Sequence, residues 1–215
     1  MSNVKLQWAT PDIDGQIMYQ ARVSNPNGQD SGKPGLLRYC MEHGHVSPFE
    51  MANACFEINT TRDIGRQMLR HRSFSFQEFS QRYADADLLP GAPLRECRLQ
   101  DTKNRQNSLP CEEADLNQAW SIRQESVLQV ALRNYRWAIN SGIAKEQARA
   151  LLPEGLTASR LYMNGNMRSW IHYLKQRLDP STQFEHRDPA WEILAILRTV
   201  APITMAAFFP ETASE

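Results

Sequence analysis

A run of cationic and aromatic side chains in the first half of the chain is the feature best suited to chemistry. Residues 70–83 read RHRSFSFQEFSQRY, so Arg70, His71 and Arg72 are adjacent. Two guanidinium groups and an imidazole this close repel one another and lose hydration if they are enclosed. An anionic ligand offsets that cost, because guanidinium groups form strong hydrogen bonds with phosphate and carboxylate oxygens. The run therefore predicts a pocket for a small anion.

The second half of the same run alternates a carboxylate, a hydroxyl and a guanidinium. If residues 76–83 are extended, Glu78, Ser80 and Arg82 point to the same side of the chain. These three groups together can hold a polar, phosphorylated molecule. The pattern therefore predicts that the anion is part of a larger polar ligand.

Two other interpretations compete with a small-anion pocket. The first is a solvated basic face at a helix end, but Phe74, Phe76 and Phe79 interrupt the run and favour burial. The second is a nucleic-acid surface of basic and aromatic residues. The chain has 24 Lys and Arg against 24 Asp and Glu, so the overall positive charge typical of polyanion binding is missing. We therefore rank a nucleic-acid-binding module far behind a local pocket.

A turn before this run carries a second group of polar side chains. The sequence EHGHVSPFE contains His43, His45, Ser47 and Glu50. A His-x-His pair beside a glutamate could ligate zinc, but neither a His-Glu-x-x-His pattern nor paired cysteines supply a third ligand. Metal binding is thus the minority interpretation. A structural role within the turn suits His43, whereas a ligand contact suits His45 if the turn faces the arginines.

A third polar group follows later in the chain. It consists of Arg149 and the segment NMRSWIHYLKQR, which starts at Asn166. Asn166 and Arg168 lie at the predicted start of a helix, where free backbone N–H groups favour anions. His172 and Arg177 follow one to two turns later and can project toward a common neighbour.

Local patterns predict the elements that position these groups. Residues 14–24 favour a helix that ends at a turn-rich NPNG sequence. Pro34 suits the first position of a second helix, and Gly44 suits its C-terminal cap. Alternating apolar and polar residues over 52–59 predict a half-buried strand. Asp63 is then a candidate N-cap for a helix with its apolar residues inward.

The rest of the chain is predicted to be mainly helical. Residues 86–114 are rich in proline and lack periodicity, which indicates a long, lid-like loop. Residues 115–142 predict one long helix, and we expect most of its aromatic residues in the core. Its apolar residues at helical spacing are Trp120, Val127, Ala131, Tyr135 and Ile139.

Three further elements are predicted near the C-terminus. Residues 156–163 could form a strand, and the segment that Asn166 caps is expected to be helical through Arg177. Asp188 followed by Pro189 predicts the N-cap and first position of a last long helix.

Composition indicates an ordinary globular chain. Hydrophobic residues make up 41% of the 215 residues and charged residues 22%, and we expect one domain over residues 1–215. No apolar run approaches the roughly 20 residues of a membrane span, and the N-terminus lacks a signal-peptide pattern. We expect reduced, mostly buried thiols in a cytosolic setting, with a disulfide between the last two as a disfavoured alternative: Cys40, Cys55, Cys97 and Cys111.

Taken together, these segments resemble the flavin-dependent thymidylate synthases. That family's signature is Arg-His-Arg, a few residues, then Ser and Arg-Tyr, and residues 70–83 fit it. The HGHVSPFE turn resembles the family's His-x-(Ser/Thr)-Pro-Phe-Glu turn. The segments ARALLPEGLT and NMRSWIHYLKQR resemble its C-terminal motifs in order and approximate spacing. The resemblance spans about residues 14–206.

The resemblance implies a fold and a reaction. The fold is α+β, with an antiparallel sheet packed by helices, in a homotetramer with active sites shared between subunits. The reaction is reductive methylation of dUMP to dTMP with FAD as cofactor, methylenetetrahydrofolate as one-carbon donor and NADPH as reductant. A related flavin enzyme that transfers a methyl or hydroxymethyl group to another pyrimidine nucleotide, such as dCMP, is the alternative. The expected location is the bacterial cytoplasm, or the host cytoplasm for a virus-encoded enzyme, with no nucleic-acid or membrane partner.

The resemblance also implies catalytic residues. Arg177 would stabilise negative charge that develops on the uracil carbonyl, so that C5 becomes nucleophilic without a protein thiolate. Ser80 and His45 would complete the catalytic group. Ser80 is expected to bind the nucleotide rather than attack it, and no metal is expected.

Two overlapping sets of binding residues follow from the resemblance. The first set would lie along the flavin, with its last three members coming from another subunit: Ser24, His45, Ser47, Glu50, Arg70, His71, Arg72, Glu78, Asn166, Arg168 and His172. The second set would hold dUMP: Gln67, Arg70, Glu78, Ser80, Gln81, Arg82, Arg149 and Arg177.

Overall fold

A four-stranded antiparallel sheet lies at the centre of the fold in the computed structural model, which describes residues 3–210. Its order is β1-β2-β6-β3, and β4 and β5 form a separate hairpin. The strands are β1 (Asn3–Ala9), β2 (Asn53–Thr61), β3 (Ser75–Glu78), β4 (Arg98–Gln100), β5 (Ser108–Pro110) and β6 (Ala158–Asn166). The helices are α1 (Ile13–Ala21), α2 (Gly35–Glu42), α3 (Arg62–Met68), α4 (Ala114–Asn140), α5 (Lys145–Ala148), α6 (Met167–Arg177), α7 (Phe184–Val200) and α8 (Pro202–Phe208). The predicted α+β fold with an antiparallel, helix-packed sheet is confirmed.

The two central strands supply one wall of the core. In β2, Ala54, Phe56 and Ile58 are fully buried, as the period-two pattern predicts. Phe56 lies opposite Met163, and Ile58 lies opposite Leu161, in β6. Because these side chains all project from the buried face of the sheet, a one-residue slip in register would expose them to water.

The aromatic residues of the 70–83 run anchor it to this core. Trp170 of α6 contacts Phe56 and Phe74, with ring centroids 4.9 and 4.6 Å apart, and its Nε1 donates to the Ala54 carbonyl. Phe74 also covers Gly165, where a Cβ would lie only 2.4 Å from the phenyl ring. The burial that interleaved phenylalanines favoured is therefore confirmed for Phe74. This anchoring holds the adjacent cationic residues at the surface of the core.

Two predicted helix starts are wrong. The N-cap of α3 is Thr61, while Asp63 lies in its first turn and binds Arg95. The last long helix starts at Phe184, well before the predicted N-cap at Asp188. Gln183 is its N-cap, and Pro189 lies inside the helix. A proline there removes one backbone donor, and the surrounding helix is kept by tertiary packing.

The long helix α4 only partly matches the predicted core positions. Ala131 and Tyr135 are buried, but Trp120 is 39% exposed and Val127 is 54% exposed. The expectation of a mostly buried set of aromatics fails here because, among residues 3–210, no element packs over this side of α4. Within residues 3–210, no helix is both long enough and apolar enough to cross a membrane.

The segment 86–114 is more ordered than a lid-like loop. It contains a 3₁₀ turn at Ala86–Leu88 and the β4–β5 hairpin. All four cysteines are free; Cys40 and Cys55 are buried, and Cys97 and Cys111 are half-buried next to the hairpin.

A buried carboxylate links the N-terminal and C-terminal parts of the fold. Asp14 of α1 is 5% exposed and accepts hydrogen bonds at the start of α8 from the Ile203 and Thr204 backbone N–H groups and the Thr204 hydroxyl. It thus satisfies donors that α8 cannot satisfy internally.

Replacing this carboxylate is expected to destabilise the fold. Asp14→Ala leaves three donors without an acceptor and is expected to cost about 1–3 kcal/mol in free energy of unfolding. Urea unfolding followed by circular dichroism measures this change. The control is Asp30→Ala, at an exposed position, which is expected to change the free energy by less than about 0.5 kcal/mol. Equal stability of Asp14→Ala and the parent would contradict this role of Asp14.

Candidate functional site

The turn after α3 and the solvent-facing side of α6 bring four basic side chains together. Arg177, the last residue of α6, donates from Nε to His71 Nε2 at 3.0 Å. The charges of Arg70, His172 and Arg177 all act on the His71 imidazole. We call Arg70, His71, His172 and Arg177 the basic cluster. Residues more than 100 positions apart in sequence thus meet at one site.

The electrostatics of the basic cluster favour a neutral histidine among cations. Burial above all, and then the neighbouring charges of Arg177, His172 and Arg70, lower the pKa of His71 to about 4. Burial also lowers the pKa of the Arg177 guanidinium. His71 is thus neutral near pH 7 and accepts the Arg177 hydrogen bond with its Nε2 lone pair.

The cluster has few internal acceptors for its donors. Within the described chain, the Nη groups of Arg177 and the whole Arg70 guanidinium have no hydrogen bond or ion pair. Two cations without carboxylate partners form a site of positive potential at the protein surface. The arrangement suits an anionic ligand, as the sequence predicts.

A second contact joins the histidine turn to the start of α6. Arg168 forms an ion pair with Glu50, which lies in a 3₁₀ turn with Ser47, and Asn166 caps α6 by accepting from the Ser169 N–H at 2.9 Å. The resemblance implied that Arg168 reaches the flavin residues from another subunit. Within one chain Arg168 already contacts Glu50, and its contribution to the flavin site of another subunit stays a prediction.

The remaining predicted flavin residues are exposed. His45 and Ser47 lie at the surface of the same turn, and Ser24 lies in the turn after α1. His43 Nδ1–H donates to the Tyr39 carbonyl oxygen at 2.9 Å, and the His43 ring stacks on the Tyr39 ring. This contact agrees with a structural role for His43. No set of three His, Cys, Asp or Glu side chains in residues 3–210 is placed to hold a metal ion.

The predicted line of Glu78, Ser80 and Arg82 does not form. Strand β3 ends at Glu78, and the Ser80 carbonyl accepts from the Tyr83 and Ala84 N–H groups in a turn. The extended conformation that the prediction required is therefore absent after residue 78. Within residues 3–210, β3 lies at the edge of the sheet and pairs with β6 alone, so the chain can leave the sheet early.

Glu78 instead belongs to a half-buried group at the end of the sheet. Its Oε1 accepts from Ser159 Oγ at 2.8 Å and lies 3.9 Å from the Arg62 guanidinium. A Cβ on Gly65 would lie 3.3 Å from the same oxygen, so the helix backbone approaches it closely. This carboxylate is held in place by the fold.

Arg82 contacts the short helix α5, which ends directly before Arg149, and we call Arg82, Glu146 and Arg149 the arginine corner. Arg82 Nε donates to Glu146 Oε2 at 2.9 Å, and Lys145 Nζ donates to the Tyr83 carbonyl. Glu146 is three residues before Arg149, whose guanidinium has no bond to any described residue. The Arg82 ion pair is weak because its side chain is 72% exposed. Two arginines can thus face one anion here.

Two glutamines near the arginines differ in their contacts, since Gln81 is buried without a partner among residues 3–210 for its Nε2 and Gln67 is hydrogen-bonded. Gln81 is 2% exposed, and its Nε2 has no hydrogen-bond partner among residues 3–210. A buried donor without an acceptor is costly, so this amide is suited to a ligand or water oxygen. Gln67 Nε2 donates to Gln183 Oε1 at 2.8 Å.

Sequence reasoning missed several residues next to the basic cluster. Tyr173 and His186 are fully buried and hydrogen-bonded to each other, and the His71 ring lies 5.0 Å from the Tyr173 ring. Predicting the start of α7 at Asp188 left His186 in a loop, which hid its place on the buried face of a helix. Correct recognition of Gln183 as an N-cap would have revealed it.

Comparison with known proteins identifies the family. The profile of the family described as "Thymidylate synthase complementing protein" matches residues 5–203. A probable flavin-dependent thymidylate synthase of Paramecium bursaria Chlorella virus 1 is 48% identical over 81% of this chain and 80% of its own. A flavin-dependent thymidylate synthase of Synechocystis sp. is 45% identical over 90% of this chain and 88% of its own. The chain belongs to this family.

Solved structures agree with the assignment to the flavin-dependent thymidylate synthases. A UMP/dUMP methylase, PolB, from Streptomyces cacaoi bound with 5-Br dUMP superposes with a TM-score of 0.83 at 27% identity, covering 97% of this chain and 94% of the other. The same methylase bound with 5-Br UMP gives a TM-score of 0.82 at 28% identity, covering 97% and 93%. As a member of this family, the protein is an enzyme, a flavoprotein and a methyltransferase.

The electrostatics of His71 predict a measurable titration. We expect the His71 resonance in a histidine-labelled NMR sample to titrate at about pH 4, and Arg177→Met to raise that pKa because one cation is removed. Between its ordinary pKa of 6.5 and about 4, the unfolded imidazole binds a proton that the folded one does not. The free energy of unfolding therefore decreases as the pH falls from about 6.5 to about 4.

The control for this titration is Arg66→Met. Arg66 also lies on α3 but pairs with Glu154 at the surface, away from the imidazole. It is expected to leave the His71 titration unchanged. A His71 pKa near 6.5 in the parent protein would refute this description of the cluster.

Proposed function

We propose that this enzyme methylates dUMP to dTMP, with FAD as its cofactor, methylenetetrahydrofolate as one-carbon donor and NADPH as reductant. The observation that carries the proposal is that Arg70 and His71 of the family signature meet Arg177, so that two cations without carboxylate partners among residues 3–210 flank a neutral histidine. The solved relatives support dUMP as the nucleotide, since PolB is a UMP/dUMP methylase bound with 5-Br dUMP in one structure and with 5-Br UMP in the other.

The donor set fits the anionic and polar groups of FAD. The basic cluster supplies Arg70, His71 and His172, and the Glu50–Arg168 pair connects this region to the histidine turn. Bound FAD would supply the electron transfer that the methylation requires. We propose that the flavin contacts are the following: Ser24, His45, Ser47, Glu50, Arg70, His71, Arg72, Glu78, Asn166, Arg168 and His172.

The arginine corner is suited to the phosphate of dUMP. A dianionic phosphate can replace Glu146 as the partner of Arg82 and pair with Arg149, because guanidinium groups bind phosphate in a bidentate manner. The unpaired amide of Gln81 adds a donor close in sequence to Arg82. We propose that dUMP contacts these residues: Gln67, Arg70, Glu78, Ser80, Gln81, Arg82, Arg149 and Arg177.

Arg177 is the proposed catalytic group. Its Nε is held by His71, so that its Nη groups are left to face the pyrimidine ring and stabilise negative charge on a carbonyl oxygen. Because His71 stays neutral, it orients Arg177 without adding a competing cation. His45 lies at the exposed histidine turn and is proposed to assist at the ring.

Ser80 is proposed to bind rather than attack. A nucleophilic serine needs a general base within about 2.6–3.2 Å of its hydroxyl. Across the described residues, the Ser80 hydroxyl makes no hydrogen bond to a histidine or carboxylate. A hydroxyl without a base is a hydrogen-bond donor or acceptor for the nucleotide.

The direct test measures one-carbon transfer with purified, FAD-loaded protein. We expect dTMP formation that requires dUMP, methylenetetrahydrofolate and NADPH. We expect dCMP to be inactive as an acceptor, and UMP is the second candidate because the structural relative is a UMP/dUMP methylase.

Arg177→Ala is expected to lower kcat by about 100-fold or more, in the range for losing one transition-state donor, while FAD stays bound. Arg66→Ala is the control. Turnover of Arg177→Ala near that of the parent would show that the catalytic role is wrong.

We also propose that the enzyme works as a homotetramer with shared active sites. The exposed apolar residues of α4 form a stripe that an isolated chain leaves in water, and an apolar stripe of this kind marks a protein interface. The stripe comprises Leu116, Trp120, Val127, Val130 and Trp137.

A charge within this stripe is expected to disrupt assembly. Val130→Glu places a carboxylate in the middle of the stripe and is expected to shift the protein from tetramer to smaller species, since burying an unpaired charge is costly. Size-exclusion chromatography with light scattering measures the change. Gln118→Glu adds a charge to another side of α4 and is the control. A parent protein that is monomeric at micromolar concentration would contradict the proposal.

A further inference from the structure

A continuous chain of hydrogen bonds starts beside the basic cluster. His186 Nε2 lies 3.2 Å from the Tyr173 hydroxyl, and His186 Nδ1 lies 3.2 Å from Gln67 Oε1. Gln67 Nε2 donates to Gln183 Oε1 at 2.8 Å, and Gln183 Nε2 donates to Glu185 Oε2 at 2.9 Å. Five side chains from α3, α6 and the start of α7 are thus linked in series. We call this the amide relay.

The carboxylate at its end determines the direction of every bond in the amide relay. Glu185 can only accept, so Gln183 must present Nε2 to it and Oε1 to Gln67. Gln67 must therefore donate from Nε2 to Gln183 and accept at Oε1 from His186 Nδ1–H. His186 then accepts at Nε2 from the Tyr173 hydroxyl. No glutamine can flip without breaking two hydrogen bonds.

The state of His186 agrees with this direction. It is fully buried, and burial, followed by the charges of Arg177 and His71, lowers its pKa to about 3. The imidazole is thus neutral at physiological pH, with one N–H donor and one acceptor, as the relay requires.

Arg95 connects Glu185 to the segment 86–114. Its Nη1 lies 3.7 Å from Glu185 Oε2, and its Nη2 donates to both Asp63 oxygens at 2.7 and 2.8 Å and to Thr61 Oγ1. The Arg95 backbone N–H donates to Gln124 Oε1, and its carbonyl accepts from Gln124 Nε2. The position of Arg95, and so of Glu185, depends on the order of this segment.

The relay leaves one group of Gln67 for a ligand. An amide nitrogen has two hydrogens, and Gln183 takes one of those on Gln67 Nε2, while His186 occupies Oε1. Gln67 can therefore offer a ligand an N–H donor, which suits a phosphate or carbonyl oxygen. A flipped amide would present its oxygen there and repel the same ligand.

We propose that Glu185 is a positioning residue that holds the Gln67 amide as a donor toward the nucleotide, and that Arg95 couples this orientation to the order of segment 86–114. The inference rests on the proposed function, in which Gln67 contacts dUMP. By linkage, nucleotide binding must then stabilise the segment as much as the ordered segment favours nucleotide binding.

The test replaces Glu185 with glutamine, which keeps its shape but can donate as well as accept. Titration calorimetry of FAD-loaded protein is expected to show that Glu185→Gln weakens dUMP binding by about tenfold, equivalent to roughly 1.4 kcal/mol, with FAD content unchanged. The matched control is Glu154→Gln, which also removes a carboxylate beside an arginine, in this case Arg66, but lies outside the relay. It is expected to bind dUMP as the parent does.

A double-mutant cycle separates positioning from general destabilisation. If Glu185 acts through Gln67, Glu185→Gln causes no further loss of dUMP affinity when Gln67→Ala is already present. Gln183→Met breaks the same link without removing a charge and serves as the second variant if Glu185→Gln does not fold. In hydrogen exchange, dUMP is expected to protect residues 89–96 in the parent and not in either relay variant.

The outcomes distinguish this inference from the function on which it rests. Parent protein that binds FAD but no dUMP would overturn the proposed function, and the inference with it. Parent protein that binds dUMP, with Glu185→Gln and Gln183→Met binding equally well, would overturn the relay alone. Additive losses in the cycle would also overturn it, because they show that Glu185 acts independently of Gln67.

Discussion

The hydrogen bond from Arg177 to His71 is the contact on which the site depends. It joins the end of α6 to the turn after α3, and it forms only if His71 remains neutral. Burial and neighbouring cations ensure that neutrality, because both disfavour a charged imidazole. The cost is a surface with unpaired positive charge at Arg70 and Arg177. An anionic ligand removes that cost, so the same positive charges that repel one another also create the binding site.

The core explains how this cluster can exist without counter-ions among residues 3–210. Trp170 and Tyr173 are buried on one side of α6, and this packing holds His172 and Arg177 on the other. Phe74 packs on Trp170 and holds the preceding turn in place. Repulsion within the cluster is therefore opposed by aromatic burial, a larger and salt-independent contribution. The site is preorganised by its hydrophobic support.

The hydrogen-bonded polar groups beneath the basic cluster also fix the orientation of the side chains that they contact. A buried amide such as Gln67 could take either orientation if all its partners could both donate and accept hydrogen bonds. Glu185 at the end of the relay can only accept, and it therefore permits one orientation. The involvement of Arg95 means that a surface segment and the buried relay are ordered together. A flavin-dependent enzyme that must admit a nucleotide has a use for a site whose polarity responds to a peripheral segment.

Local sequence signals alone determined much of this protein. The alternation in β2, the Asn166 cap, the family signature at residues 70–83 and the α+β class could all be predicted, because each depends on neighbours within a few positions or on a motif with fixed spacing. Only the tertiary structure decided that Arg168 meets Glu50 within one chain and that β3 ends before Arg82 can align with Glu78. It likewise decided the place of His186, 119 positions from its partner Gln67. The physical reason is that such contacts depend on how the sheet and helices pack, and no short-range pattern encodes the distance between side chains so far apart in the chain.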